Sequence, residues 1–328
     1  MSQFKVVLIE HGYASIDVER GIIERAGGEF IDADQVPLAE ALRLCEDADG
    51  ILFRRIDITA EMLRRFRRCK ILLRYGVGTD NVPSAAATDA GIMVGHVPAY
   101  CIDEVSTHAI ALLLACVRKV VVTHRKMEGG GWDLHREDPI FRMTGRTLGL
   151  VGLGHIGQAV ARKLGAWGLT LLAADPFVEP ARAGALDVKL VELDSLCRES
   201  DFVSLHCPLL AETRHLIGDR AFSLMKPGAI LINTSRGPVV DASALLAALE
   251  TGRLACAGLD VFEEEPPGKS PLYELPNVVV TPHAAGTDLQ SRDDMALSAA
   301  QSIIALSKGE WPTPQIVNPD AKAKFKWE

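Results

Sequence analysis

The strongest constraint on this chain lies between residues 147 and 157. Thr147-Leu148-Gly149-Leu150-Val151 reads as a buried strand, and Gly152-Leu153-Gly154-His155-Ile156-Gly157 follows it directly. Ile156, Val160, Leu164 and Trp167 then mark one face of a helix. A G-x-G-x-x-G run means little alone, but between a strand and a helix each glycine has a task. Gly152 permits a tight turn, Gly154 lets a pyrophosphate approach the backbone, and Gly157 lets helix and strand pack closely. Free N–H groups at the helix start, around His155 and Ile156, then face the phosphates. The next strand ends at Asp175, 18 residues after Gly157. A carboxylate there accepts hydrogen bonds from the adenine-ribose hydroxyls and repels the extra phosphate of NADP. A structural glycine turn beside a surface Asp would not account for strand, loop, helix and acid falling in this order. The expected coenzyme is NAD.

The rest of the chain repeats the alternation. Lys5–Ile9, Gly50–Phe53 and Lys70–Leu73 read as strands, with helical stretches at Leu38–Cys45 and Ala60–Phe66. Later strands are expected at Thr170–Ala174, Phe202–Leu205, Ala229–Ile232, Ala255–Leu259 and Val278–Val280. Strands alternating with helices imply parallel sheets with helices on their faces. One long helix is expected from Asp103 to Met127, apolar nearly all round at Ile110–Cys116 and so buried between layers or at an interface. Asp241 reads as a helix N-cap with Gly252 closing that helix, and a last helix runs from about Asp288 to Lys308. The 328 residues, 48% of them hydrophobic, suffice for two α/β domains, with a boundary near residue 99.

Charge and cysteine usage exclude several function classes. Lys and Arg number 35 against 43 Asp and Glu, a net charge of -8, so nucleic acid is a poor partner. The longest apolar run, Ala109–Val117, has nine residues, where a membrane span needs roughly 20. Met1-Ser2-Gln3-Phe4-Lys5 lacks a signal-peptide layout. Seven cysteines without a CxxC point to free thiols in a reducing, cytoplasmic setting, and no metal site is expected. The basic run Arg64-Arg65-Phe66-Arg67-Arg68-Cys69-Lys70 reads as the end of a helix, where cations suit the dipole, rather than as a polyanion patch.

Open parallel sheets bind ligands beyond the carboxyl ends of their strands. Those ends deliver His206-Cys207-Pro208, then Asn233-Thr234-Ser235-Arg236-Gly237, then Asp260 and Glu263-Glu264-Glu265-Pro266, then Thr281-Pro282-His283. A cation, a carboxylate and an imidazole at the mouth of a dinucleotide site suit the reduction of a 2-oxo acid. Arg236 can fork onto two oxygens. His283 can give a proton to the carbonyl oxygen, or remove it in reverse. Glu265, if bonded to the imidazole, orients it and favours its charged form. His206 competes with His283 for the acid role. Glu263 and Glu264 are expected to be solvated, and His108 and His124 to be packing or surface residues.

These stretches together resemble the D-isomer-specific 2-hydroxyacid dehydrogenases. The likeness runs from Leu148–Gly157 through Ser204–Leu209, Asn233–Gly237, Gly258–Phe262 with Glu265-Pro266, to Thr281–His283, and it covers nearly the whole chain. The resemblance implies two doubly wound parallel-sheet domains. A Rossmann NAD domain, residues 99–285, is inserted into a flavodoxin-like substrate domain, residues 1–98 plus 286–328. It carries the family's catalytic Arg, Glu and His onto Arg236, Glu265 and His283. It extends the coenzyme contacts to His206, Cys207, Pro208, Thr213, Thr234, Ser235, Arg236, Asp260, His283 and Gly286. It suggests that Tyr75-Gly76-Val77-Gly78 offers backbone N–H groups to the substrate carboxylate, and it implies a homodimer through the NAD domain.

Several positions bear on the substrate. His96 stands two residues before Pro98, where many relatives carry Asn. Glu265 stands where formate dehydrogenases place Gln, which argues against formate. Arg54 matches an arginine that phosphoglycerate dehydrogenases use, while Arg55 points to the opposite face of an extended chain. The sequence ends at Glu328, and the extra C-terminal regulatory domain of many such enzymes is not expected. Glyoxylate, hydroxypyruvate and 3-phosphoglycerate all suit Arg236. The alternatives are an NADH-sensing protein of the C-terminal binding corepressor type, or a phosphite dehydrogenase.

Overall fold

The computed structural model describes residues 4–132, 140–312 and 315–324. The expectations for Met1–Gln3 and for the end at Glu328 lie outside them. The chain forms two compact units, one made of residues up to Tyr100 and those from Asp288 onward, the other of Cys101–Thr287.

The first unit begins β1 (Phe4–Ile9), α1 (Asp17–Arg25), β2 (Gly28–Asp32), α2 (Leu38–Cys45), β3 (Gly50–Phe53), α3 (Ala60–Arg65), β4 (Ile71–Arg74), α4 (Ser84–Asp89) and β5 (Met93–Gly95). Its five strands are parallel in the order β2-β1-β3-β4-β5, the flavodoxin-like arrangement. β2 and β5 went unseen in the sequence because they are short edge strands, and β2 interrupts its apolar residues with Glu29 and Asp32. The basic run at the end of α3 is partly paired, with Arg65 and Arg67 on Glu46 and Arg68 on Asp49.

The second unit holds α5 (Ile102–Arg118), α6 (Val120–Glu128), β6 (Thr147–Val151), α7 (His155–Leu164), β7 (Thr170–Ala174), α8 (Pro180–Gly184), β8 (Val188–Leu190), α9 (Leu193–Glu199), β9 (Phe202–Leu205), α10 (Asp219–Leu224), β10 (Ala229–Asn233), α11 (Ala242–Glu250), β11 (Leu254–Leu259) and β12 (Val278–Val280). Its seven strands run in the order β12-β11-β10-β9-β6-β7-β8, so the order reverses beside β6, at the glycine loop. That is the Rossmann pattern with one further strand. One face of the sheet packs on Leu112, Leu113 and Cys116 of α5 and Val160 and Leu164 of α7. The other packs on Leu196, Phe222 and Leu245 from α9, α10 and α11.

The single helix expected over Asp103–Met127 is two. Lys119 adopts a left-handed φ of 55° and ends α5, and the pair bends by 61° there. α5 is seated on the sheet through Val117, whereas no residue of α6 is buried, so packing does not hold the second segment in line with the first. Three successive β-branched valines at its start also disfavour continuous helix. Among the described residues no single helix is long and apolar enough to cross a membrane. The chain then returns to the first unit as α12 (Leu289–Ser307), capped by a reciprocal Asp288–Ser291 box. Met295, Ala299, Ile303 and Leu306 of α12 complete the core over Val6, Leu8, Leu52 and Ile71.

Candidate active site

The glycine loop is shaped by close approaches. A Cβ on Gly152, whose φ is 94°, would fall 2.7–2.9 Å from the backbone of His206 and Cys207. One on Gly157 would collide with the Gly152 carbonyl, whereas Gly154 has open space beside it. α7 begins immediately after, and no side chain caps it. Its first-turn N–H groups therefore face the open side, where a phosphate fits. Asp175 is tied to this loop: Oδ2 accepts the Leu153 N–H at 2.7 Å and Oδ1 the Phe177 N–H at 2.9 Å. Each oxygen keeps a further lone pair for a ribose hydroxyl.

Neighbouring strand ends add polar groups. Thr213 accepts the Leu210 N–H and donates to the Pro208 carbonyl, each at 2.7 Å, which closes the loop after Cys207. Thr234 Oγ1 is buried and has no hydrogen-bond partner among the described residues. A buried hydroxyl is rarely left so unless a ligand completes it. The open Gly154, the uncapped helix, Asp175 and Thr234 thus fit a dinucleotide.

The acid–base groups converge from three strands. At the end of β10, Asn233 Oδ1 accepts from the Ser235 N–H and hydroxyl, and its Nδ2 donates to the Arg236 carbonyl at 2.9 Å. Gly237 then lies against the backbone of Phe262 and Glu263, in space that a Cβ would occupy. This approach brings the loop carrying Arg236 onto the loop carrying Glu265. Glu265 Oε1 accepts the Phe262 N–H at 3.0 Å, and Oε2 lies 2.6 Å from His283 Nδ1. A carboxylate only accepts, so Nδ1 carries the hydrogen and Nε2 is left to exchange a proton. Burial alone would raise the Glu265 carboxyl. The hydrogen bond and charge of His283, the Phe262 N–H and the charge of Arg236 outweigh it and hold the group below its ordinary value.

His206 is in a different state. Part of its surface is accessible, yet burial of the ring pushes its pKa down to about 4, and Nε2 lies 2.9 Å from Ser204 Oγ. It is neutral at physiological pH, and the one ring proton it keeps is too weakly acidic to suit a general acid. Asp260, 1% exposed, accepts from the Thr281 hydroxyl and from the N–H groups of Ala284 and Ala285. Gly286 follows directly.

Glu263 is exposed, as expected, and its Oε1 also lies 2.6 Å from His215 Nε2, on a segment whose N–H groups bond the carbonyls of Pro238 and Val239. The sequence reading needs one correction here. In the first unit, the Tyr75 N–H is donated to the Phe53 carbonyl at 2.7 Å, continuing the β3–β4 ladder. Its side chain is buried and bonds Glu19, so Tyr75 offers no group to a substrate.

Gly76, Val77 and Gly78 remain available, and two residues hold their loop. His96 Nδ1 lies 2.6 Å from the Val77 carbonyl, and Arg74 Nη1 donates to the Gly78 carbonyl at 2.6 Å. Arg74 escaped the sequence reading because it looks like the polar end of a strand. Arg54 lies over the Tyr13 ring at 4.7 Å, and Arg55 is exposed. Among the described residues no cluster of His, Cys, Asp or Glu is arranged to hold a metal ion.

Comparisons with known proteins agree on one family. Residues 110–285 match the model of the D-isomer specific 2-hydroxyacid dehydrogenase, NAD binding domain. A glyoxylate reductase of Thermococcus litoralis is 39% identical over 296 residues, covering 88% of this chain and 89% of the relative. A D-3-phosphoglycerate dehydrogenase of Mycobacterium tuberculosis is 40% identical over 273 residues, 83% of this chain but 51% of the relative. The structure of D-lactate dehydrogenase from Aquifex aeolicus, complexed with NAD and lactic acid, superposes with a TM-score of 0.85 at 28% identity, covering 95% of this chain and 99% of the other.

Proposed function

Because the chain belongs to the D-isomer specific 2-hydroxyacid dehydrogenase family, we propose that Arg236, Glu265 and His283 are the residues with which this NAD-dependent enzyme interconverts a small 2-oxo acid and its D-2-hydroxy acid. The observation that carries the proposal is the 2.6 Å pair of Glu265 and His283 within the field of Arg236. Gly152–Gly157, Asp175, Thr234 and Asp260 would hold NADH, which would supply the hydride. Arg236 binds the carboxylate and carbonyl oxygens of the acid and polarises the carbonyl. His283 donates its Nε2 proton to the carbonyl oxygen as that oxygen becomes an alkoxide. Glu265 keeps the Nδ1–H in place and balances the charge of the imidazolium. In the oxidative direction the neutral Nε2 takes the hydroxyl proton. Gly76, Val77 and Gly78 are assigned, as part of the same proposal, to offer N–H groups to an acid's carboxylate.

Glyoxylate and hydroxypyruvate are the favoured substrates, and 3-phosphoglycerate is the alternative. The Thermococcus relative named glyoxylate reductase is matched over nearly its full length, while the phosphoglycerate enzyme is matched over about half. Initial rates with glyoxylate, hydroxypyruvate and phosphohydroxypyruvate, using NADH and then NADPH, test this. Turnover of the first two with NADH is expected, and a strong preference for the phosphorylated acid would overturn the ranking. A dimer through the Cys101–Thr287 unit is part of the proposal. α6 buries no residue, and Val120, Met127, Trp132 and Phe141 are all exposed. Sedimentation of the purified chain as a monomer would remove that part.

A further inference from the structure

Behind His283 runs a chain of hydrogen bonds that ends on a helix. His108, on α5, has Nε2 2.9 Å from Thr281 Oγ1, and Thr281 donates to Asp260 Oδ1 at 2.6 Å. A hydroxyl has one proton. With that proton given to the carboxylate, the Thr281 oxygen accepts from the imidazole, so His108 carries hydrogen on Nε2. The same Asp260 oxygen lies 3.6 Å from His108 Nε2. Asp260 then acts on both sides of His283. Its carboxylate takes the Ala284 and Ala285 N–H groups at 2.9 and 3.0 Å, and its main-chain carbonyl takes the His283 N–H at 2.8 Å.

His283 holds a left-handed φ of 52°. A non-glycine residue keeps that conformation only where its surroundings impose it. The imposing groups here are Thr281 before it, Ala284 and Ala285 after it, and the one buried carboxylate that joins them.

We propose that His108 is a positioning residue of the reaction: through Thr281 it fixes Asp260, and so fixes the turn that aims the His283 imidazole. A side chain 175 positions earlier in the chain thus sets the proton donor's direction without touching substrate. The inference rests on the reading of His283 as the acid–base residue.

The test uses the full-length enzyme with NADH and glyoxylate or hydroxypyruvate, with kcat counted per NADH-binding site. His108→Ala is expected to lower kcat about tenfold, the upper range for one lost hydrogen bond, and to change KM for the 2-oxo acid, which Arg236 holds, less than about twofold. His108→Gln keeps an N–H donor and is expected to recover most of the loss. Thr281→Val keeps the shape but removes the hydroxyl together with its bond to Asp260, and should cost at least as much as His108→Ala. The double variant should be no worse than Thr281→Val alone.

Wild-type kcat in His108→Ala, multiplying effects in the double variant, or no recovery with Gln would overturn the proposal. If His108→Ala does not fold, Thr281→Val against Thr281→Ser carries the same comparison, with loss and recovery expected in turn. His283→Ala separates the two layers. Full activity in that variant defeats the acid–base reading itself, whereas its loss of activity beside an unaffected His108→Ala defeats only the present inference.

Discussion

The two sheet edges of this chain are built from different materials. At the edge of the second unit, titratable groups hold one another: Glu265 grips His283, Arg236 lends its charge, and Asp260 secures the turn. At the edge of the first unit, an arginine and a histidine face backbone carbonyls, and a second arginine faces a ring. Arg74 holds the Gly78 carbonyl, His96 holds the Val77 carbonyl, and Arg54 lies over Tyr13. The first arrangement suits moving a proton, and the second suits steadying a loop to which the proposal above assigns a carboxylate. On the proposal above, variants at one edge change turnover, and variants at the other change affinity.

His283→Ala tests that division most severely. Removal of a positioned acid–base group is expected to lower kcat by about 10²–10⁴. A change confined to KM would erase the contrast. Glu265→Gln should cost about tenfold and, more tellingly, reshape the pH profile. Glu265 is held below its ordinary value, so its charge is present at neutral pH and is lost only as pH falls through that lowered value. In the Gln variant no carboxyl titrates there, so the fall in activity that follows protonation of Glu265 on the acid side is expected to vanish from the profile. An unmoved profile would take Glu265 out of the mechanism.

Asp175→Ala should narrow the preference for NAD over NADP about tenfold by removing a charge that repels the extra phosphate. Competing-coenzyme kinetics would show it, and an undiminished preference would count against the ribose contact. The smallest effect belongs to the first unit. Arg54→Ala is expected to raise KM for phosphohydroxypyruvate by a factor of about two to five and to leave kcat and the KM for glyoxylate nearly unchanged, as for one solvent-accessible charge pair. Equal changes for both acids would instead assign Arg54 to the shared carboxylate, and so sharpen the role of that edge.

The glycine loop was readable from the chain because its demands are local: two positions with no room for a Cβ and a third left open for a phosphate, between a strand and a helix. The order in which later strands deliver His206, Arg236, Glu265 and His283 to one edge was readable too, since parallel strands point the same way. Other features depend on residues far apart. Lys119 breaks a helix whose apolar pattern runs on past it. Glu263 looks like one of three solvent-facing acids, but His215 reaches it across 48 positions. The Tyr75 N–H continues the ladder to Phe53, and that pairing is set by strand register rather than by any residue at Tyr75.

The choice between two histidines marks where the sequence stops. The residues alone determined that His206 and His283 both end parallel strands near a dinucleotide loop, because hydrophobic period and glycine spacing set strand direction and order. Only the packed structure decided that they differ. His206 is buried away from any counter-charge, and its ring is neutral near neutral pH. His283 is turned by a left-handed backbone toward a carboxylate delivered by another strand. Desolvation and a neighbouring charge depend on what surrounds a ring in space, and linear order does not specify it.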